Sequence, residues 1–246
     1  MLSRWEETVD TERDQHNRYP ATASLAYKQG FLDRPIVDQY ATDICKPGLQ
    51  HLVPDWKPEP KRFSVKLSHD IDCVQRASTI YHTGRAVAAD LLKRRNARSL
   101  WELPSAYLNP DRDPFTQGIY ELAELSEQYG FQSAFYFKGA VKGPYDQNYD
   151  PSSDHVRKCI ENLLERGHEV GFHPGYRTYD NPERFKWEKD RLMKSLNGEK
   201  IGGRQHYLRF QVPDTWHIWE QHGMAYDSTL GYADHEGFRC GTCHPL

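Results

Sequence analysis

FSVKLSHDIDC, Phe63 to Cys73, is the stretch on which the reading of this chain turns. It begins as an alternating strand, with Phe63, Val65 and Leu67 on one face. It ends in a polar knot of Ser68, His69, Asp70 and Asp72. A period of two puts Ser68, Asp70 and Asp72 on one face and His69 with Ile71 on the other. Two carboxylates about 7 Å apart, two strand steps, either repel or share a cation. The stretch therefore reads as half of a metal site at the C-terminal end of a barrel or sheet strand. The plainer reading is a helix N-cap cluster following the strand.

The 246 residues suffice for a sizeable core, and single α/β barrels often have this length. Charged residues make up 27% and apolar ones 37%, which suits a polar globular protein. A net charge of −3 gives no basic field for nucleic acid or an anionic membrane. The first residues, MLSRWEETVDTERDQ, do not form a signal peptide, and no apolar run reaches the length of a membrane span. The expected location is cytoplasmic, and five scattered cysteines fit reduced thiols there. Six Trp and fifteen Tyr give a weak hint of sugar stacking.

Residues 1–60 read as an N-terminal extension and linker, and 61–246 as the main domain. Within the extension, RPIVDQYATDIC predicts a helix that Lys46-Pro47-Gly48 terminates, and VPDWKPEPKR predicts a linker. Beyond Asp72, a helix is expected from about Ser78 to Arg95, then an irregular stretch, LPSAYLNPDRDP, long enough to cover a barrel mouth. Phe115 to Tyr129 is amphipathic, with Ile119, Leu122, Ala123 and Leu125 on one stripe. Strands at Phe131–Lys138 and His168–His173 alternate with helices at Asp154–Arg166 and Pro182–Leu196. Lys200 to Phe210 is ambiguous between strand and loop, Trp216–Gln221 is helical, and Met224–Thr229 is a short strand. Alternating strands and helices predict an α/β fold with a parallel sheet, whose ligands bind at the C-terminal strand ends.

His173 closes the strand HEVGFH on the face of Glu169 and Gly171, and a glycine beside it leaves room for a ligand. If the segment GGRQHY is extended, Arg204 and His206 share a face. Arg204 is then either a surface ion-pair partner or the residue that fixes a catalytic carboxylate. Asp72, His173 and His206 offer one oxygen and two nitrogen donors, the set from which an open catalytic zinc site is built. Asp70, not needed as a ligand, is left as general base. Cys240-Gly241-Thr242-Cys243-His244 matches the C-x-x-C-H of haem attachment. Without an export signal, haem is disfavoured against zinc binding, and a plain structural role is favoured most.

From about Phe63 to Asp227 the chain resembles the polysaccharide deacetylase family. LSHDID stands in the place of its T-F-D-D motif and GHEVGFHPGYRTYD in that of G-H-E-I-x-x-H-(S/T)-x-x-H. GGRQHY and YDSTLGY stand in the places of its arginine and later aspartate motifs. HDID together with HPGYRTYD looks like a bacterial branch of deacetylase-like proteins. The resemblance implies a distorted (β/α) barrel, here preceded by an N-terminal helical extension. It implies Asp70 as catalytic base, His173 as a metal histidine, and Arg204 and Asp227 as supports of the catalytic groups. The chain departs from the pattern at Ile71, with the second acid one place later at Asp72, and at Arg177, where the second motif histidine would stand. The family's last, leucine-histidine motif has no counterpart before Leu246, which implies a barrel incomplete at its C-terminal end.

The expected activity is metal-dependent, most simply Zn²⁺-dependent, hydrolysis of the N-acetyl group of an amino sugar, in a polysaccharide, oligosaccharide or glycolipid precursor. Tyr176, Tyr179 or Trp216 would stack on the sugar. The competing expectation is a non-catalytic carbohydrate-binding or scaffold protein on a degraded deacetylase fold.

Overall fold

The computed structural model describes residues 1–57, 63–139, 143–146, 149–196, 198 and 200–245. Its centre is a parallel sheet of β1 (Leu67–Ile71), β2 (Ser133–Phe137) and β3 (Glu169–Phe172), in that order. The register aligns Asp70 with Tyr136 and Gly171, and Ile71 with Phe137 and Phe172. β2 is buried along its whole length, as a central parallel strand covered on both faces must be. The strand predicted from Phe63 starts only at Leu67, because its partner begins at Ser133. Phe63 is left 93% exposed.

The sheet is extended by single parallel bridges from Phe172 to Gly203 and from Gly203 to Asp227, and among the described residues it goes no further. Among the described residues it does not close, so the expected (β/α) barrel is replaced by a small open sheet flanked by helices. The strand predicted at Met224–Thr229 is reduced to the bridge at Asp227. The ambiguous 200–210 segment cannot extend the ladder past Gly203, since Tyr207 and Leu208 adopt left-handed backbone at φ 61° and 53°. Across the opening, the Arg204 side chain rather than a strand reaches β1.

The N-terminal residues hold four short helices, α1 (Glu6–Val9), α2 (Leu25–Lys28), α3 (Ile36–Tyr40) and α4 (Lys46–Leu52). The helix expected to stop at Lys46-Pro47-Gly48 runs through it. A π turn over Ala41–Cys45 moves the bond of the Lys46 N–H back to the Ala41 carbonyl just before Pro47. Part of the predicted linker, 58–62, lies outside the described residues. The extension packs on the far end of the chain. Glu7 receives Arg4 Nε at 2.7 Å, Arg239 Nε at 2.9 Å and Arg239 NH2 at 2.7 Å, all three residues being buried.

After β1, α5 (Ile80–Ala89) packs on α6 (Ser99–Leu108). The stretch read as an irregular mouth cover is therefore half helix, running through Pro104 and burying Leu103 and Ala106. α7 (Pro114–Gln128) is capped by Asp113, whose carboxylate takes the N–H groups of Phe115, Arg76 and Ala77 and so also shapes the loop after β1. α7 buries Ile119 and Ala123, but Leu122 and Leu125 stay largely exposed beside β1 rather than completing the core stripe. α8 (Asp154–Glu165), α9 (Pro182–Met193) and α10 (Asp214–Gln221) complete the order. One core joins Phe135, Phe137, Val170 and Phe172 of the sheet to Ile160, Leu163, Phe185 and Trp219 of these helices.

Gly203 is the joint on which the sheet extension depends. A Cβ there would collide with the Phe172 carbonyl, which accepts the Arg204 N–H at 3.1 Å. Gly203→Ala is expected to destabilise the fold by at least the roughly 1–3 kcal/mol typical of overpacking, measured by denaturant unfolding. A substitution without effect would show that the bridge does not hold this segment.

Candidate functional site

Period-two alternation applied across the sheet sets one row of side chains just beyond the strand ends. Ile71, Phe137 and Phe172 are in register, and each is followed by a polar residue: Asp72, Lys138 and His173. The His173 N–H still bonds the Phe137 carbonyl at 2.8 Å, so the row remains sheet-like. His206 is brought over it by its own N–H, which donates to the Pro174 carbonyl at 3.1 Å.

Three donor atoms meet there. His173 Nε2 lies 3.0 Å from His206 Nδ1 and 3.5 Å from Asp72 Oδ1, and His206 Nδ1 lies 3.3 Å from Asp72 Oδ1. A tetrahedral zinc with bonds near 2.1 Å spaces its ligands about 3.4 Å apart, so the triangle fits the ion. The outer nitrogens are also occupied: His173 Nδ1 is 2.5 Å from the Arg204 carbonyl and His206 Nε2 is 3.0 Å from that of Tyr145. In the tautomers that donate outward, both rings aim a lone pair at Asp72, as a ligating pair would. Burial, then the nearby His173 and Lys138, pushes the His206 imidazole down to about 4, so it is neutral at pH 7. Burial alone would raise the Asp72 carboxyl, but the His173 hydrogen bond and the Lys138 charge hold it well below the usual range.

Lys138 is the residue that strand-by-strand reading passes over. Fully buried, its Nζ lies 2.9 Å from Asp72 Oδ1, 2.9 Å from His206 Nε2 and 3.4 Å from Asp146 Oδ1. The signal was present, since alternation from Tyr136 puts Lys138 on the face of Asp72 and His173. It also gives His206 a second tautomer, in which Nε2 accepts from Lys138 and Nδ1–H faces Asp72 and His173. Three lone pairs pointing inward need a cation among them; the second tautomer needs none.

One row below, Asp70, Tyr136 and Gly171 share a face. Arg204 lies 5.3 Å over the Tyr136 ring, donates to Asp70 Oδ1 at 3.1 Å and to Ser68 at 2.7 Å. The sequence pairing of Arg204 with a carboxylate thus finds Asp70. Arg204 and His206 do not point together: one turns to Asp70, the other to Asp72. Asp70 and Asp72 open on a groove of about 600 Å³ walled by Phe115, Leu122 and Leu125.

Asp227 makes no hydrogen bond to Arg204. Its Oδ1 takes the Thr229 N–H at 2.8 Å and the Thr229 hydroxyl, while the buried Oδ2 has no partner among the described residues. Tyr176 and Tyr179 lie beneath the N-terminal segment, their hydroxyls bonded to His16 and Asn17 and their rings covered by Arg209. They offer a sugar no open face. Trp216 is half-buried in a cleft of about 1190 Å³ that also holds Ser68, Tyr136, Arg204 and Asp227. His69 and His168 flank Phe135 on the opposite face of the sheet.

A family of unknown function, DUF7033, matches residues 1–54. That stretch carries α1 to α4 and none of Asp72, Lys138, His173 or His206. No curated protein and no solved structure matches the chain. No helix among the described residues is long and apolar enough to cross a membrane.

Burial pushes the Asp227 carboxyl up to about 6, against about 3.9 in an unfolded chain. Its contribution to stability is complete below about pH 4 and is lost as pH rises through 6. Asp227→Asn is expected to remove this slope from the wild-type curve in denaturant melts between pH 4 and 7. An unchanged slope would place the titrating proton elsewhere.

Proposed function

We propose that this chain is a metal-dependent hydrolase of the polysaccharide deacetylase type. Its reaction is removal of an N-acetyl group from an amino sugar in the cytoplasm. The observation that carries the reading is the triangle of Asp72, His173 and His206, spaced for a tetrahedral ion with both outer imidazole nitrogens held. These residues would hold the metal, most simply Zn²⁺. When bound, such an ion lowers the pKa of its water toward about 7 and polarises a carbonyl oxygen.

The chain's own residues supply the rest. Asp70 takes the proton of the attacking water as general base. Arg204 fixes that carboxylate through Oδ1 and steadies it against Ser68, leaving Oδ2 for the proton. The exposed side of Asp72 and the groove beside Asp70 admit the acetyl group, and Trp216 offers the sugar a ring in the adjoining cleft. The lack of bulk positive charge favours a neutral or cationic sugar over nucleic acid.

Lys138 favours a second reading. Its Nζ neutralises Asp72 and bonds His206 with no metal present, as a binding protein on a degraded site would require. Metal content separates the two. The hydrolase is expected to hold divalent metal at this site and to release acetate from an N-acetylated oligosaccharide. His206→Ala should weaken that binding about 100-fold or more, and full retention would remove His206 from the ligand set. Asp70→Asn should abolish acetate release while metal is retained; loss of metal would show that Asp70 and Asp72 have exchanged roles. Lys138→Met should tighten metal binding if the hydrolase reading holds. A fold that fails without Lys138, in a wild type that binds no metal, would establish the second reading.

A further inference from the structure

We propose that the hairpin of α5 and α6 docks the protein on an anionic lipid bilayer, with Leu92 and Trp101 entering the headgroup boundary beside a cluster of cations. Docking needs no catalysis, so it stands or falls separately from the hydrolase reading.

The tip of the hairpin is fixed from inside. A π turn over Asp90–Arg94 carries α5 on to Arg95, whose left-handed backbone, φ 53°, turns the chain back towards α6. Buried Asp90 accepts from Arg94 NH1 at 2.8 Å and from Arg76 NH2 at 2.5 Å, and its carbonyl takes the Asn96 N–H at 3.0 Å. Arg76 follows Asp72 by four residues in the loop after β1. The hairpin is thus rooted at the end of the sheet that carries the triad.

The two helices bury Thr83, Leu103 and Ala106 and leave larger residues outside. Leu92 is 83% exposed, Trp101 80% and Leu108 82%. On α6, Trp101, Pro104 and Leu108 recur with spacings of three and four on the face opposite Leu103 and Ala106. A single exposed leucine is ordinary, but an apolar stripe that runs to a Trp and a Leu on either side of a turn marks an interaction surface.

Charge at the tip selects the partner. Lys93, Arg94, Arg95 and Arg98 are all exposed there. Asp90 holds Arg94, whereas the side chains of Lys93, Arg95 and Arg98 have no acidic partner among the described residues. Residues 80–109 hold five Lys and Arg against two Asp and Glu, a local net of +3 that the −3 of the whole chain conceals. Cations beside exposed Leu and Trp are the composition of an interfacial helix. Its apolar side enters the acyl boundary while Lys and Arg reach the headgroup phosphates. A nucleic acid would use the cations and leave Leu92 and Leu108 in water. A second copy paired tip to tip about a two-fold axis would set the same cations against each other.

Co-sedimentation of the full chain with vesicles tests this. Binding is expected to phosphatidylcholine vesicles that contain phosphatidylglycerol and not to phosphatidylcholine alone, and it should weaken as salt is raised. Lys93→Gln combined with Arg98→Gln should weaken it about 30-fold, at roughly 1 kcal/mol for each cation near an anionic surface. Trp101→Ser should weaken binding and remove the blue shift of tryptophan fluorescence that vesicles produce in the wild type, with circular dichroism unchanged. Lys186→Gln, on an exposed stretch of α9, should bind as the wild type does. Failure of the wild type to bind anionic vesicles would overturn the proposal, as would binding that survives both hairpin variants. Retention of duplex DNA in place of vesicles, or a dimer that Trp101→Ser dissolves, would overturn it in favour of a nucleic acid or a second copy.

Discussion

A lysine without contact with water survives only where partners replace its hydration, and Lys138 imposes that demand at the centre of this molecule. Asp72, Asp146 and His206 meet it. They come from the end of β1, from the segment after β2, and from the turn beyond Gly203. One buried charge thus draws three distant stretches of chain over the sheet. Asp146 completes the arrangement by accepting the Tyr176 N–H at 3.0 Å, which ties the 174–176 turn to the same point. The other hydrogen bonds that place His173 and His206 go to main chain, at the carbonyls of Phe137, Arg204, Pro174 and Tyr145.

The open sheet follows from a second constraint. Parallel strands need their connecting helices to return each strand to a neighbour, and the chain does this twice. Beyond β3, among the described residues, the backbone comes alongside only at Gly203 and Asp227, and Tyr207 and Leu208 turn it away. Arg204 then spans to Ser68 and Asp70 with a guanidinium where a closed sheet would use a strand. The face carrying Ser68 and Tyr136 stays accessible as a cleft instead of being filled by barrel side chains.

Part of this was legible in the sequence because alternation is a property of the backbone itself. It places Asp72 and His173 at strand ends on a common face and turns His69 away, as the structure has them. Lys138 escapes because its meaning depends on register between strands, which no single strand contains. The cover over Tyr176 and Tyr179 is likewise invisible locally, since His16 and Asn17 lie about 160 positions away. The prolines mislead for a local reason: Pro47 follows a π turn and Pro104 sits in a helix whose Leu103 and Ala106 are buried, so packing outweighs the lost bond. Closure of the barrel was an inference from resemblance, and the pattern at Met224–Thr229 satisfies it without supplying the neighbours that pairing needs.

Glu7 receives Arg239 from 232 positions further along the chain, within a pocket completed by Arg4 and Tyr232. On a ribosome adding about 5–20 residues each second, the first of these groups waits roughly 10–50 s for the last. During that interval α1 has made its local turn, but its carboxylate lacks a guanidinium from the far end and residues 13–19 have no tyrosines to cover. The sheet and its helices are synthesised meanwhile. Arg4, Glu7, His16 and Asn17 are therefore made well before their partners in the fold.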